Sequence, residues 1–202
     1  MDDLNENWVP GFGTIYTWFA MDKNGRLAMM VNNCFGDLPR QLLKVQGVEL
    51  LLDHMNEFVW EESVNFTNYP KAKSGGFSVD LYSASAWRSC SSREEVTERL
   101  LKERVRRGLY ADANIPMSKG FYIYHGVERS FPGEDYPVGC DEVTEMGDYF
   151  RYLAPDVFGG VEDFPEALRG GIAVSDFIDF SVDRILFGRH VNDYFPRLFS
   201  VR

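Results

Sequence analysis

The chain of 202 residues carries a formal net charge of −10 at pH 7 and has an isoelectric point near 4.8. This acidity argues against nucleic acid or an anionic membrane as a ligand, because both require a basic face. A hydrophobic content of 45 % and an aromatic content of 15 % predict a globular protein that buries a core without a metal ion or disulfide. We predict a single domain over residues 1–202.

The first predicted element is a β-hairpin. The segments Thr14–Ala20 and Arg26–Val31 are rich in β-branched, aromatic and other apolar residues, and Asn24-Gly25 lies between them. This dipeptide predicts a tight turn because both residues tolerate a positive φ.

Helical spacing of apolar residues follows between Leu42 and Val59. Asp37 is the predicted N-cap, and Pro39 lies where a first-turn proline is tolerated. Gly47 interrupts the pattern, so we expect either two helices or one kinked helix.

A further helix is predicted to begin at Ser92 and to end before Gly108. Ser92 and Glu95 match a capping box, and glycine commonly follows the last helical residue. The predicted buried stripe of this helix consists of Val96, Leu100, Leu101 and Val105. Its other face is basic, and it is either solvated or docked against an acidic part of the same chain. The basic residues are Arg93, Arg99, Lys102, Arg104, Arg106 and Arg107.

The remaining apolar patterns predict mostly strands. Phe77–Ser83 alternates like a half-buried strand, and Phe121–Val127 is rich in strand-forming residues. Ile172–Phe180 is a candidate strand, Val182–Phe187 a candidate strand or short helix, and Val143–Leu153 a candidate helix. Because helices and strands mix without βαβ regularity, we predict an α+β fold with a mainly antiparallel sheet and two or three packed helices.

Most of the net charge is concentrated between Ser130 and Leu168, where ten acidic residues and seven Phe or Tyr accompany a single basic residue. A disordered acidic tail lacks such aromatic residues, so we predict a folded acidic surface for a basic protein partner. The alternative is that the aromatic residues form core and the acids merely solvate the surface. The predicted electrostatic contacts are Glu134, Asp135, Asp141, Glu142, Glu145 and Asp148. The predicted aromatic anchors are Tyr149, Phe150 and Tyr152.

The sequence contains no recognisable catalytic, metal-binding or cofactor-binding motif. We therefore predict no metal ion and no cofactor. Three histidines lack the spacing of metal ligands, namely His54, His125 and His190. Three widely spaced cysteines predict reduced thiols and a cytoplasmic location, namely Cys34, Cys90 and Cys140. The acidic N-terminus without an apolar region predicts no secretory signal.

From Thr14 to Pro39 the sequence reads TIYTWFAMDKNGRLAMMVNNCFGDLP. A hairpin of the form W-F-x-x-D-x-x-G-x-x-A followed by GDLP resembles the N-terminal part of bacterial immunity proteins. These are small cytosolic antidotes paired with polymorphic or secretion-delivered toxins. The matching residues are Trp18, Phe19, Asp22, Gly25, Ala28, Gly36, Asp37 and Pro39, within about an eighth of the chain.

The resemblance implies an α+β protein without enzymatic activity that binds one cognate toxin. We predict that it occludes a toxin with a basic face through the acidic, aromatic-rich surface. Two alternatives are a hydrolase-type enzyme that uses His54 or His125 with carboxylates, and a small-molecule-binding α+β module with an aromatic pocket. A cleft that places a histidine within hydrogen-bond reach of an acid favours the enzyme, whereas an exposed acidic patch over a closed core favours the inhibitor.

Overall fold

A mixed β-sheet forms the centre of the structure, a computed structural model that describes residues 4–128 and 136–200. The strands of the sheet are β1 Thr17–Met21, β2 Leu27–Val31, β3 Phe77–Val79, β5 Tyr122–Gly126, β7 Tyr149–Pro155, β8 Ile172–Val174, β9 Ile185–Leu186 and β10 Arg197–Leu198. Their order is β10-β8-β1-β2-β5-β7-β3, with β9 also paired to β7. Strands β4 Tyr82–Ser83 and β6 Pro137–Val138 pair separately.

The pairings in the main sheet are antiparallel except for β1 with β8 and β2 with β5. The helices are α1 Arg40–Leu43, α2 Val48–Val59, α3 Arg93–Arg107 and α4 Val191–Tyr194. Short 3₁₀ segments and one π-helical turn, Ile115–Lys119, complete the described elements. The predicted α+β class with a mainly antiparallel sheet is therefore confirmed.

The predicted hairpin is confirmed as β1 and β2, with Gly25 at φ 79° in the turn. Buried Asp22 organises this turn, because its carboxylate accepts hydrogen bonds from the backbone N–H groups of Asn24 and Arg26, both at 2.9 Å. The same carboxylate accepts from the Phe180 N–H at 3.0 Å. A single side chain thus joins the hairpin to a segment far along the chain.

Gly47, in the left-handed region at φ 70°, separates α1 from α2 and confirms the predicted split. The predicted N-cap at Asp37 is wrong. The helix begins at Arg40 after Pro39, and the Asp37 carboxylate instead accepts a hydrogen bond from the Leu38 N–H at 3.1 Å.

Helix α3 begins as predicted, because the Ser92 hydroxyl accepts from the Glu95 N–H at 3.3 Å, and Gly108 follows its last residue. Val96 and Leu100 are buried, but Leu101 and Val105 are exposed, so half of the predicted stripe is wrong. The physical reason is that α3 packs against β3 along one narrow row of its residues and leaves the rest in solvent.

The predicted helix over Val143–Leu153 is also wrong. Gly147 has a φ of 94°, which a helix does not allow, and β7 begins two residues later. Phe77–Ser83 is divided between β3 and β4, because β3 pairs with β7 while β4 pairs with β6. The two C-terminal candidate segments contain the short strands β8 and β9.

Aromatic rings fill the core on one side of the sheet. Phe164 lies at the centre of this cluster, 5.2 Å from Phe19, 5.7 Å from Phe58 and 5.7 Å from Phe121 between ring centroids. Offset and edge-to-face arrangements at these distances stabilise a core beyond the burial of their area. Packing of the core therefore explains part of the high aromatic content of the chain.

Candidate functional site

Three exposed acidic residues lie at one edge of the sheet, in a segment that we call the acidic loop, residues 139–148. Pairing of Thr17 with Val31 and of Val31 with His125 places the start of β1 and the ends of β2 and β5 at this edge. Tyr149, the first residue of β7, pairs with Gly126 at the same edge. The acidic loop therefore stands beside the loop that follows β2.

Three carboxylates of the acidic loop are exposed, namely those of Asp141, Glu142 and Glu145. Val143 lies between them with 88 % of its surface exposed, and Met146 is also exposed. Val143 and Met146 thus form a small exposed apolar area among the charges. The arrangement combines long-range attraction with a small apolar area that contact would bury.

The acidic loop is held in place by hydrogen bonds from buried Asp148. Its carboxylate accepts from the Glu145 N–H at 2.8 Å and from the Gly188 N–H at 2.7 Å. The Gly147 N–H donates to the Val127 carbonyl at 2.9 Å. Asp148 is therefore a support of the loop, and its prediction as an electrostatic contact is wrong.

The neighbouring loop after β2 contains two consecutive residues in the left-handed region, Asn33 at φ 45° and Cys34 at φ 70°. Asn32, which is fully buried, fixes this loop by accepting from the Tyr16 N–H at 2.7 Å and donating to the Gly36 carbonyl at 3.3 Å. Strained backbone of this kind clusters at functional sites, because the surrounding structure must be built to hold it.

The two loops are in direct contact. A Cβ at Gly147 would lie 2.5 Å from the Phe35 carbonyl oxygen, so only glycine fits at this position.

Two polar groups near this contact are in unusual surroundings. Burial raises the pKa of Asp37 in the loop after β2, against the opposing effect of Arg40. The Thr144 hydroxyl is buried without a hydrogen-bond partner among the described residues. An unsatisfied buried group is rare in native proteins and adds to the unusual features of this edge.

The predicted aromatic anchors belong to the core. Tyr149 is 0 % exposed, and Phe150 and Tyr152 are also buried, so the prediction that these rings present a binding surface is wrong. These three residues belong to strand β7, both faces of which are packed. Glu134 and Asp135 lie outside the described residues. The exposed apolar residues that sequence reasoning missed are Tyr136, Val143 and Met146.

The basic face of α3 touches the acidic segment at the N-terminal end of the helix. The Arg93 guanidinium lies against Gly139. Further along the helix, this face forms ion pairs within α3, from Lys102 to Glu98 and from Arg106 and Arg107 to Glu103. Because these pairs are exposed, each contributes little to stability.

The three histidines lie apart from one another. His125 packs between the rings of Phe150 and Tyr152, and burial lowers its pKa to about 4. His54 contacts the Phe66 ring edge to face. His190 is within hydrogen-bond reach of Asp193, at 3.1 Å, but both side chains are exposed.

A surface cleft of about 500 Å³ lies between residues 65–70 and residues 162–169. Phe58, Phe66, Tyr69 and Phe164 supply an aromatic lining, and the Nε of Arg169 donates to the Phe164 carbonyl at 2.9 Å. The volume and the aromatic walls are typical of small-molecule sites. No histidine is among the residues that line this cleft.

Within residues 4–128 and 136–200, no cluster of three or more His, Cys, Asp or Glu side chains is arranged to hold a metal ion. Cys34, Cys90 and Cys140 are free thiols. In the part of the chain that the structure describes, no helix is both long and apolar enough to cross a membrane. Comparisons with protein-family models, with curated proteins and with solved structures each found no match to this chain.

Proposed function

We propose that the protein is a non-enzymatic inhibitor, an immunity protein, that binds a cognate protein toxin with a basic face. The observation that carries this proposal is the acidic loop, in which three exposed carboxylates surround exposed Val143 on a firmly held backbone. The proposed mechanism is occlusion, in which the loop covers the basic active-site cleft of the toxin.

The charges and the apolar residues of the loop have different roles in this mechanism. Asp141, Glu142 and Glu145 attract the basic partner and raise its association rate by roughly 10- to 1,000-fold at low salt. Val143 and Met146 become desolvated on contact and slow dissociation, because buried apolar anchors carry most of the binding energy of an interface. Preorganisation by Asp148 keeps the entropic cost of binding low.

The resemblance to immunity proteins concerns the fold more than the binding surface. Trp18, Phe19 and Ala28 are fully buried, and Gly25 forms the hairpin turn. Of the matching residues, Gly36 and Asp37 lie in the loop beside the acidic loop. The resemblance supports the proposed class through the hairpin and through these two residues beside the acidic loop.

The test uses the toxin-like protein encoded by the neighbouring reading frame. Reversal of Asp141, Glu142 and Glu145 to lysine should lower the association rate at low salt at least about tenfold. The matched control reverses Asp156, Glu162 and Glu166, which are exposed acids that follow β7 instead of preceding it. Equal effects of the two triple variants would indicate nonspecific attraction and contradict the proposed site.

A second candidate function, binding of a small molecule, is favoured by the aromatic cleft beside Phe66 and Arg169. A screen of aromatic carboxylates by thermal shift tests it. A compound that raises the melting temperature of the wild type, but not that of the Phe66→Ala and Arg169→Ala variants, would support the cleft as a binding site. Absence of any shift, together with toxin binding, would leave the inhibitor as the only supported function.

A further inference from the structure

The end of helix α3 is an apolar surface that none of residues 4–128 and 136–200 covers. Leu101 and Val105 lie one turn apart on one side of the helix, and Val105 is 89 % exposed. Leu109 and Tyr110, which follow the helix, are also at least half exposed. Such a group of large apolar residues at the end of one helix is unusual in a monomeric protein and indicates a contact surface.

Basic residues flank this apolar surface. Between positions 101 and 110 the chain carries four cations and one anion, in a protein whose net charge is −10. We call this region, residues 101–110, the basic helix end. Lys102 and Arg106 form the row next to Leu101 and Val105, and each is 78 % exposed. Beside this row, Trp87 and Arg99 help to line a groove of about 420 Å³.

The acidic loop of the same molecule is not placed to cover the basic helix end. Within α3, it is Arg93 at the start of the helix that lies against Gly139. The 15 residues of α3 span about 22 Å at 1.5 Å per residue, so the helix carries its last turn away from this contact. The positive and negative surfaces therefore face outward at separate places.

We infer that the basic helix end of one molecule binds the acidic loop of a second copy of this chain. Charge complementarity carries the inference. The acidic loop presents three carboxylates around exposed Val143 and Met146, and the basic helix end presents an excess of three cations around Leu101, Val105 and Leu109. Each surface combines an apolar centre with charged neighbours, which is the usual organisation of a protein interface.

The contact is heterologous, because it joins two different surfaces. Each molecule keeps one free basic helix end and one free acidic loop, so association continues into a ring or an open chain unless one surface is blocked. Two such small surfaces bury less than the roughly 1,200 Å² of a stable complex. The association is accordingly weak, and it depends on protein concentration and on salt.

The inference goes beyond the proposed function and does not depend on a toxin. It adds a consequence for the acidic loop, which is covered by another copy at high protein concentration. A toxin that binds the loop then competes with self-association. Self-association is measurable on the purified protein alone, so its failure and the failure of toxin binding are separate results.

The test is sedimentation equilibrium of the full chain at increasing concentration. The expected weight-average mass rises above the 23.2 kDa of one chain at low salt and returns to it at high salt. Salt acts because the Debye length falls from about 30 Å at 0.01 M to about 3 Å at 1 M. A mass that stays at one chain at millimolar concentration and low salt would overturn the inference.

Two variants locate the contact. The helix variant carries Leu101→Gln and Val105→Gln, and the loop variant carries Asp141→Asn, Glu142→Gln and Glu145→Gln. All five positions are exposed, so both variants should melt like the wild type. Each variant alone should remain at the mass of one chain. An equimolar mixture should reach the mass of two chains and no more, because it has one functional surface of each kind.

The mixture gives the decisive outcomes. Growth of the mixture to two chains supports the pairing of the basic helix end with the acidic loop. Self-association of either variant as strong as that of the wild type would show that other residues mediate it and would overturn the inference. A mixture that remains at one chain while the wild type associates would also overturn it.

Discussion

Tyr149 provides a direct test of whether the aromatic residues of the acidic segment belong to the core. Its hydroxyl accepts a hydrogen bond from the Trp18 indole N–H at 3.1 Å and donates to the Asp37 carbonyl at 2.9 Å. Burial raises the pKa of this hydroxyl, so it remains protonated and able to donate. Tyr149→Phe removes both hydrogen bonds while keeping the ring and its packing.

The expected loss follows from the two groups left without partners. The buried Trp18 N–H costs about 1–3 kcal/mol when it loses its hydrogen bond, and loss of the part-buried bond to the Asp37 carbonyl costs about 1 kcal/mol, so Tyr149→Phe should lower the free energy of unfolding by roughly 2–4 kcal/mol. That is a large part of the 5–15 kcal/mol that a typical domain has. For a chain of this size the melting temperature should fall by roughly 5–15 °C.

Urea denaturation followed by tryptophan fluorescence measures the change. Tyr136→Phe is the matched control, because Tyr136 lies in the same segment of the chain and is exposed. A loss below about 0.5 kcal/mol for Tyr149→Phe, at unchanged m-value, would refute the reasoning that this hydroxyl connects β1, β7 and the loop after β2.

Two further predictions concern charged groups. Asp80 accepts hydrogen bonds from Arg151 and Arg184, both at 2.8 Å, so Asp80→Asn should lower the free energy of unfolding by roughly 2–4 kcal/mol in urea titrations. Asp176→Asn, which breaks an exposed pair with Arg197, should change it little, and equal losses would contradict the reasoning. His125 has a pKa of about 4 in the folded protein against 6.5 in the unfolded chain, so only the unfolded chain takes up its proton between these values as the pH falls. Between pH 7 and pH 4.5 the wild type should therefore lose roughly 2–3 kcal/mol more than His125→Gln, and parallel losses would exclude His125 as the cause.

The features predicted correctly from sequence are those that depend on neighbours in the chain. The hairpin turn follows from Asn24-Gly25, the division of α1 from α2 follows from Gly47, and the start of α3 follows from Ser92. Each of these signals acts through backbone conformation or capping within a few residues. Distant parts of the chain do not need to be known to interpret them.

Apart from the N-cap at Asp37, the wrong predictions concern segments whose structure depends on distant partners. Short apolar runs are ambiguous between helix and strand, and pairing with β5, β3 and β9 makes β7 a strand. Leu101 and Val105 fit a helical stripe, but the sequence does not reveal where along α3 the packing against the sheet stops.

The sequence identified the segment that contains the candidate site, but it did not show which of its side chains face the solvent. The acidic residues Asp141, Glu142 and Glu145 are exposed as a binding surface requires, whereas Tyr149 and Asp148 point into the protein. Charge and aromatic content identified the segment. The direction of each side chain follows from strand β7 and from the turn at Gly147, which sequence reasoning had assigned to a helix.

The parallel pairing of β1 with β8 has a consequence for synthesis. Phe19 pairs with Ile172, about 150 residues later, and β8 is in turn paired by β10. At 5–20 residues per second the ribosome needs roughly 8–30 s to supply the partner of β1 after β1 itself has been made. During that interval one side of the first hairpin is an unpaired edge. Sheets closed by such distant segments fold slowly, so a nascent molecule completes its sheet only after β8 and β10 have been made.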